Sequence, residues 1–372
     1  MRIVVIGAGI VGGAIAFYLA RRGADVTLID ADEPGMGATS HSFAWINGFG
    51  KEPRTYGGLN RRSLDTWDRF ARLLDADIGL RWGGQLTWAA TDEDAEALSQ
   101  NVARLQSWGY VARMIDESEM MQLEPGLRPG LVKAAAISDN DGHVPGTLVA
   151  QTCARRVHEM GGRIISRKPV IGLDTQAGRV DSVQISDGSV ECDAVVLAAG
   201  VGTTKLAEMA EISVPQEESP GVVVSTSPMP PILRNVAALY APPVGAEGQE
   251  VHIRQSTDGV VLMGEGSQES LARDDSPEHA VEILARASVY LPELKSATPV
   301  PVPVGYRPMP IDGMPVLGFT HAVPNMYIAL MHSGITLAPL VGELATMEIL
   351  DGARVDILEH YRPERFDSVV TG

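Results

Sequence analysis

Near its start the chain reads Arg2-Ile3-Val4-Val5-Ile6-Gly7-Ala8-Gly9-Ile10-Val11-Gly12, and a second apolar run, Val26 to Ile29, ends in Asp30. The β-branched run Ile3 to Ile6 reads as a buried strand. Ile10, Ala14, Phe17 and Tyr18 then recur at helical spacing until Gly23 stops the pattern. Strand, glycine turn, helix and second strand make a βαβ unit, so the expected class is α/β. Each glycine has its own physical task. Gly7 permits the tight turn, Gly9 lets a pyrophosphate approach the backbone, and Gly12 lets the helix lie close to the strand. The helix N-terminus offers free N–H groups and a partial positive charge, and Asp30 is placed to accept from ribose hydroxyls. Together they predict a dinucleotide site.

Composition narrows the remaining possibilities. A chain of 372 residues predicts two domains or one large composite one. No apolar stretch spans a bilayer, and the nucleotide strand starts at residue 3, which leaves no room for a signal peptide; the expected location is cytoplasmic. The net charge of −17 argues against a nucleic-acid partner. Cys153 and Cys192 belong to no metal-type spacing and read as reduced, partly buried structural residues; the eight histidines are scattered, so no metal site is expected. Trp45, Trp67, Trp82, Trp88 and Trp108 read as core.

After Asp30 the chain gives small polar residues, Asp32 to Ser42, suited to wrapping a phosphate or a flavin side chain. A helix is expected over Leu59 to Leu74, with Trp67 and Phe70 on its apolar face. Another helix should follow Gly142-His143-Val144-Pro145-Gly146, and Asp187-Gly188 marks a hairpin. Asp193 to Gly200 is a buried strand running into small residues, expected beside the first strand. From Val222 to Met263 strands alternate, with Asp258-Gly259 as a hairpin turn between His252–Gln255 and Val260–Met263. His252 and Arg254 share one face of their strand, turned either to substrate or to solvent. Asn325 to Leu330 is a strand, and Gly334 opens a final helix.

Four ordered stretches, Gly7 to Gly12 with Asp30, Asp141 to Val144, Val195 to Gly200, and Gly305 to Gly318 with Met331 to Gly334, resemble the FAD-dependent D-amino acid oxidase family, which includes glycine oxidase, sarcosine oxidase and D-amino acid dehydrogenases. The resemblance implies a Rossmann-like FAD-binding domain with a mixed-sheet (α+β) substrate domain. The expected division is 1–83, 139–215 and 311–372 for the first, and 84–138 and 216–310 for the second. It also implies oxidation of a C–N bond by hydride transfer to flavin N5.

Carried over residue by residue, Gly7, Gly9, Ile10, Val11, Gly12, Asp30 and Ala31 match the pyrophosphate and ribose site. Thr39, Ser40 and His41 match the loop along the phosphates and flavin edge, and Gly200 ends the strand under the adenosine half. Gly334, Ile335 and Thr336 match the turn facing the flavin pyrimidine ring, where a helix N-terminus would stabilise negative charge on reduction. Arg307 matches an arginine that holds the substrate carboxylate, which suits the two-pronged guanidinium. His332 and His252 are the further candidates at the flavin or substrate.

Two departures from the family are informative. The sarcosine oxidase branch attaches its flavin through a cysteine, and Arg307 to Gly318 contains none, so FAD is expected to be non-covalent. That branch also uses a lysine near the flavin to react with oxygen. The strands from Val251 to Gly266 have no lysine, which places fast oxidase activity in doubt and leaves His252, Arg254 or His332 as substitutes. The expected partners are a small amino acid or amine, oxygen or a redox partner as electron acceptor, and a homo- or hetero-oligomeric copy. Competing readings are an FAD-dependent 2-hydroxy acid dehydrogenase, with His332 or His252 as base, and a flavin-binding subunit without turnover. The first test is acid precipitation, which is expected to release a yellow supernatant containing FAD; flavin retained in the pellet, or NAD in its place, contradicts the assignment.

Overall fold

The structure, a computed structural model, describes residues 1–245, 248–266 and 271–367. At its centre is a six-stranded sheet in the order Val316–Phe319, Met326–Leu330, Ala194–Leu197, Arg2–Ile6, Asp25–Ile29, Arg163–Ile165. All neighbours run parallel except the first pair. Val4 is flanked by Thr27 on one side and Val195 on the other, so the chain leaves the first strand between two neighbours it reaches by different crossovers. The carboxyl ends of such strands open a crevice, the usual place for a ligand in a sheet of this kind. Ile3 to Ile6 are buried, as strands covered on both faces must be.

The helix Ile10–Arg21 is buried on every side rather than on one stripe. It lies between Gly334–Asp351 and Gly146–Glu159, and small residues allow the approach. A Cβ on Gly342 would meet the Ala14 carbonyl at 3.1 Å, and one on Gly13 would meet Cys153 Cβ at 3.3 Å. The expected helix over Leu59 to Leu74 is two helices, Arg54–Leu64 and Trp67–Leu74, separated at Asp65-Thr66. The break lets Ser63 Oγ and Trp67 Nε1 both donate to the Thr336 carbonyl, at 2.6 and 3.1 Å. Trp67 and Phe70 are fully buried. Cys153 and Cys192 are free and buried, Cys192 just beyond its strand.

A second sheet has eight strands, ordered Pro299–Pro301, Val224–Thr226, Val261–Glu265, Val251–Gln255, Ala238–Ala241, Gln85–Ala89, Ala134–Ser138, Arg113–Ile115. It is antiparallel apart from the pairing of Ala238–Ala241 with Gln85–Ala89. The helix Pro277–Tyr290 buries Ile283 and Ala287 in one core with Ile253 and Val261. Burial of each of the larger aliphatic side chains among these contributes about 1.5–3 kcal/mol. A short ladder, Gln216–Gly221 against Gly305–Pro310, places Arg307 opposite Ser219. No helix among the described residues is long and apolar enough to cross a membrane.

A buried pair ties together three segments distant in sequence. Tyr110 Oη donates to Asp141 Oδ1 and accepts from the Gly48 N–H at 2.8 Å. Burial pushes the Asp141 carboxyl up to about 8, and its Oδ2 has no partner among the described residues. The folded state therefore holds a proton that the unfolded chain releases near pH 4, so this contribution to stability is present in acid and is lost as pH rises towards about 8. Against Asp141→Asn, which cannot titrate, the wild-type melting temperature should fall steadily from pH 4 to 8 and run parallel above that. Parallel curves across the whole range would show that the carboxyl is ionised in the fold.

Candidate active site

A cavity of about 950 Å³ opens at the carboxyl end of the first strand. The glycine turn is built by contacts that a side chain would block. Gly7 has φ +105°, and a Cβ there would lie 2.3 Å from the Ala198 carbonyl; one on Gly12 would lie 1.9 Å from the Gly7 carbonyl. Gly9 gives the helix no side-chain cap, so its first-turn N–H groups stand at the cavity, where Ile10 N donates to Thr39 Oγ1 at 3.2 Å. Both Asp30 oxygens accept backbone donors, Oδ2 from Ala8 at 2.5 Å and Oδ1 from Asp32 at 2.8 Å. Burial raises the Asp30 pKa and the backbone donors work against that rise.

The opposite wall comes from the second sheet and the returning chain. On Gly305–Pro310, Arg307 Nη1 donates to the Pro220 carbonyl at 2.6 Å and to Ser219 Oγ at 3.3 Å. A Cβ on Gly221 would lie 2.4 Å from Arg307 Nη2, so the guanidinium is laid along bare backbone. His252 stacks on Tyr240 with ring centroids 5.8 Å apart and meets Phe43 edge-on at 4.7 Å. Gly264 makes room for it, since a Cβ there would be 2.1 Å from Nε2. Burial, then the Arg307 charge, lowers the His252 pKa to about 4. Burial, then the charges of Lys51 and Arg307, lowers that of His332 to about 3. Both imidazoles are therefore neutral at ordinary pH. Ser333 holds φ +29° and ψ 27° where the last helix begins, a strained conformation for a residue with a side chain.

The wall fits a flavin. Four buried polar atoms on it, Trp45 Nε1, Asn47 Nδ2, His252 Nδ1 and Ser333 Oγ, have no hydrogen-bond partner among the described residues. Each such group left unsatisfied costs about 1–3 kcal/mol. A ring edged with carbonyls and nitrogens, joined to a pyrophosphate at the glycine turn, supplies what they lack. Thr336 Oγ1 fixes the segment opposite, accepting from Asn47 N and donating to the Trp45 carbonyl, each at 3.1 Å.

Of the residues singled out in the sequence, Gly7, Gly9, Ile10, Val11, Asp30, Ala31, Thr39, His41, Gly200, His252, Arg307, His332, Gly334, Ile335 and Thr336 all line this cavity. Gly12 lies behind the wall, packed on Gly7, and Ser40 Oγ is turned to the carbonyls of Met36 and Gly37. His252 and Arg254 do share a face, both meeting Phe43, but neither reaches solvent. Arg254 is tied to the Phe43 carbonyl and Ser256 Oγ away from the cavity. Trp45 is buried as expected yet belongs to the cavity wall. Lys51 was missed altogether: it is buried and lines the cavity beside His332. Its signal was a single lysine after Asn47-Gly48-Phe49-Gly50, a stretch with no other charge.

This geometry is that of a flavoenzyme. The profile of the FAD dependent oxidoreductase family matches residues 2–347, and the chain belongs to that family; it is an enzyme, and its cofactor is FAD. It is similar to the B subunit of the opine oxidase of Rhizobium meliloti, 26% identical with 98% of this chain and 97% of the relative covered. It is similar to the glycine oxidase of Bacillus licheniformis, 26% identical with 98% of each covered. In fold it is similar to the glycine oxidase of Geobacillus kaustophilus, with a TM-score of 0.85, 23% identity and 98% and 99% of the two chains covered.

Asp30→Ala removes a charged acceptor from the turn. The FAD dissociation constant of refolded apoprotein should rise by about 1.5–3 kcal/mol, roughly 10- to 150-fold, with Asp30→Asn in between. An unchanged constant in both variants would take Asp30 out of the site.

Proposed function

We propose that this chain oxidises the Cα–N bond of a small amino acid or N-substituted amino acid, the hydride leaving carbon for flavin N5 of a non-covalently held FAD. Bound FAD supplies the two-electron acceptor. The protein's part is placement. Arg307, held by Ser219 and the Pro220 carbonyl, presents its guanidinium to the substrate carboxylate and fixes the α-carbon. The nitrogen lone pair forms the C=N bond as the Cα–H bond gives up its electron pair, and water then hydrolyses the imine. The similarity to glycine oxidase and to one chain of an opine oxidase supports an amine of this kind.

The observation that carries this reading over a 2-hydroxy acid is the state of the two histidines. His252 and His332 are pushed down to about 4 and about 3. Neither is an effective base near neutral pH, and a carbinol needs one. An amine loses its proton to water before it binds, and two nearby cations favour its neutral form. The rate of anaerobic flavin reduction should therefore rise through one ionisation that tracks the amine's own pKa across substrates. A fixed ionisation near 6–7, common to all substrates and absent in His332→Asn, would restore the histidine as base.

Arg307→Ala should keep FAD and its spectrum yet lose roughly 2–5 kcal/mol of transition-state binding, tens- to thousands-fold in kcat/KM. Arg307→Lys should recover only part, since lysine keeps the charge without the fork. Wild-type reduction rates in Arg307→Ala, or equal rates with a decarboxylated amine, would remove the carboxylate role.

A further inference from the structure

Arg254 is 2% exposed, on a strand inside the eight-stranded sheet. Among the described residues no carboxylate forms an ion pair with it. The acid whose charge acts on it is Asp258, exposed at the hairpin turn. Its donors go to uncharged groups: Nε to the Phe43 carbonyl, and Nη1 to Ser256 Oγ at 2.7 Å, with His143 Nδ1 at 3.4 Å. His143 is no counter-charge, because burial, then the charges of Arg254 and Arg81, lower its pKa to about 2. A guanidinium held in a protein interior without a carboxylate is costly, and an apolar residue of similar volume would pack the same space at less cost.

The charge faces the cavity. The Arg254 guanidinium carbon lies 5.5 Å from the Phe43 ring centroid, and Phe43 lines the cavity in contact with Trp45 and His252. This is the stretch of wall whose unpaired polar atoms fit a flavin. Arg254 is not itself part of the wall, so none of its N–H groups reaches a ligand. What crosses Phe43 is charge alone. A field of that kind does not select shape; it selects between charge states of the group in the cavity. The substrate carboxylate keeps one charge throughout. The flavin does not: the hydride carries two electrons and one hydrogen to N5, so the ring gains one negative charge, at N1 and the C2 carbonyl, while the substrate gains one positive charge.

We propose that Arg254 is the counter-charge of the reduced flavin: its buried guanidinium, acting across Phe43, holds the reduced ring as an anion and raises the reduction potential of the bound FAD. Arg254 thus acts by its charge and touches neither substrate nor cofactor. The inference needs bound FAD and not the amine chemistry, so it stands or falls apart from the substrate reading.

The test uses the holoenzyme without substrate. Sulfite adds to flavin N5 and leaves the same negative charge on the ring, so its dissociation constant reports the field, and the two-electron midpoint potential reports it independently. Arg254→Gln keeps a donor for the Phe43 carbonyl and removes the charge. Its sulfite dissociation constant should rise about tenfold, the effect of a unit charge one side chain away at the screening of a protein interior. Its potential should fall by the equivalent, about 30 mV. Arg254→Lys should keep both values close to wild type. The wild-type potential should fall by about 30 mV per pH unit from pH 5 to 8, one proton taken up for two electrons. Methylthioacetate, an unreactive carboxylate titrated by flavin absorbance, should bind equally to wild type and Arg254→Gln. A wild-type slope of about 60 mV per unit at the acid end means a neutral reduced ring and overturns the proposal, even if Arg254→Gln fails to hold FAD. So does an Arg254→Gln protein with wild-type sulfite affinity and potential. An Arg254→Lys protein with values far below wild type assigns the effect to hydrogen bonds and overturns it too. Loss of methylthioacetate affinity with sulfite unaffected moves the charge to substrate binding and has the same consequence.

Discussion

The Gly7 carbonyl occupies the space where a Gly12 side chain would begin, and the Ala198 carbonyl occupies the space of one on Gly7. Three backbone segments meet there with nothing between them. Any Cβ at Gly12 would push the helix Ile10–Arg21 off the first strand, and that helix is wedged between Gly334–Asp351 and Gly146–Glu159 with no slack on either side. Interiors packed to this density do not absorb such a shift locally. The cavity mouth, the Asp30 clamp on Ala8 and the start of the last helix at Gly334 all inherit their positions from this contact. A Cβ on Gly334 would touch Val11 at 3.1 Å, in the first turn of the same helix.

Charge is distributed against the molecule's overall balance. The chain carries −17, yet the cavity wall near His332 carries Lys51 and Arg307. The nearby buried acid, Glu265, is engaged by Arg286 and by His279 at 2.8 Å. A small anion is thus repelled weakly at long range, where salt screens, and attracted strongly at short range, where it does not.

The nucleotide half was readable because its tasks demand residue types at fixed spacing. A turn needing positive φ takes glycine, a buried parallel strand takes Ile and Val, and Asp30 ends its strand. Other features were hidden for physical reasons. The helix over Leu59 to Leu74 keeps its periodicity across Asp65-Thr66, so only the tertiary demand of the Thr336 carbonyl reveals the break. His252 and Arg254 alternate correctly, but alternation does not say which buried surface a face meets; Phe43, far earlier in the chain, decides it. Trp45 reads as core because it is core, and only the cavity behind it gives its indole N–H a second role. Lys51 sits in a loop without periodicity, anchored where the Gly48 N–H donates to Tyr110 Oη, a pairing that no local pattern encodes.

The cavity wall is assembled from residues near 6–51, 168–171, 198–223, 252, 265, 272, 305–308 and 329–336. Nearly the whole chain must therefore be made before the cofactor has a place to bind. Once bound, the cofactor touches all of these segments at once, and it stabilises the folded state according to its free concentration over its dissociation constant. Vitamin supply thus becomes a determinant of protein lifetime: in a cell short of flavin, the same polypeptide forgoes this stabilisation, and a larger unfolded fraction meets the proteases.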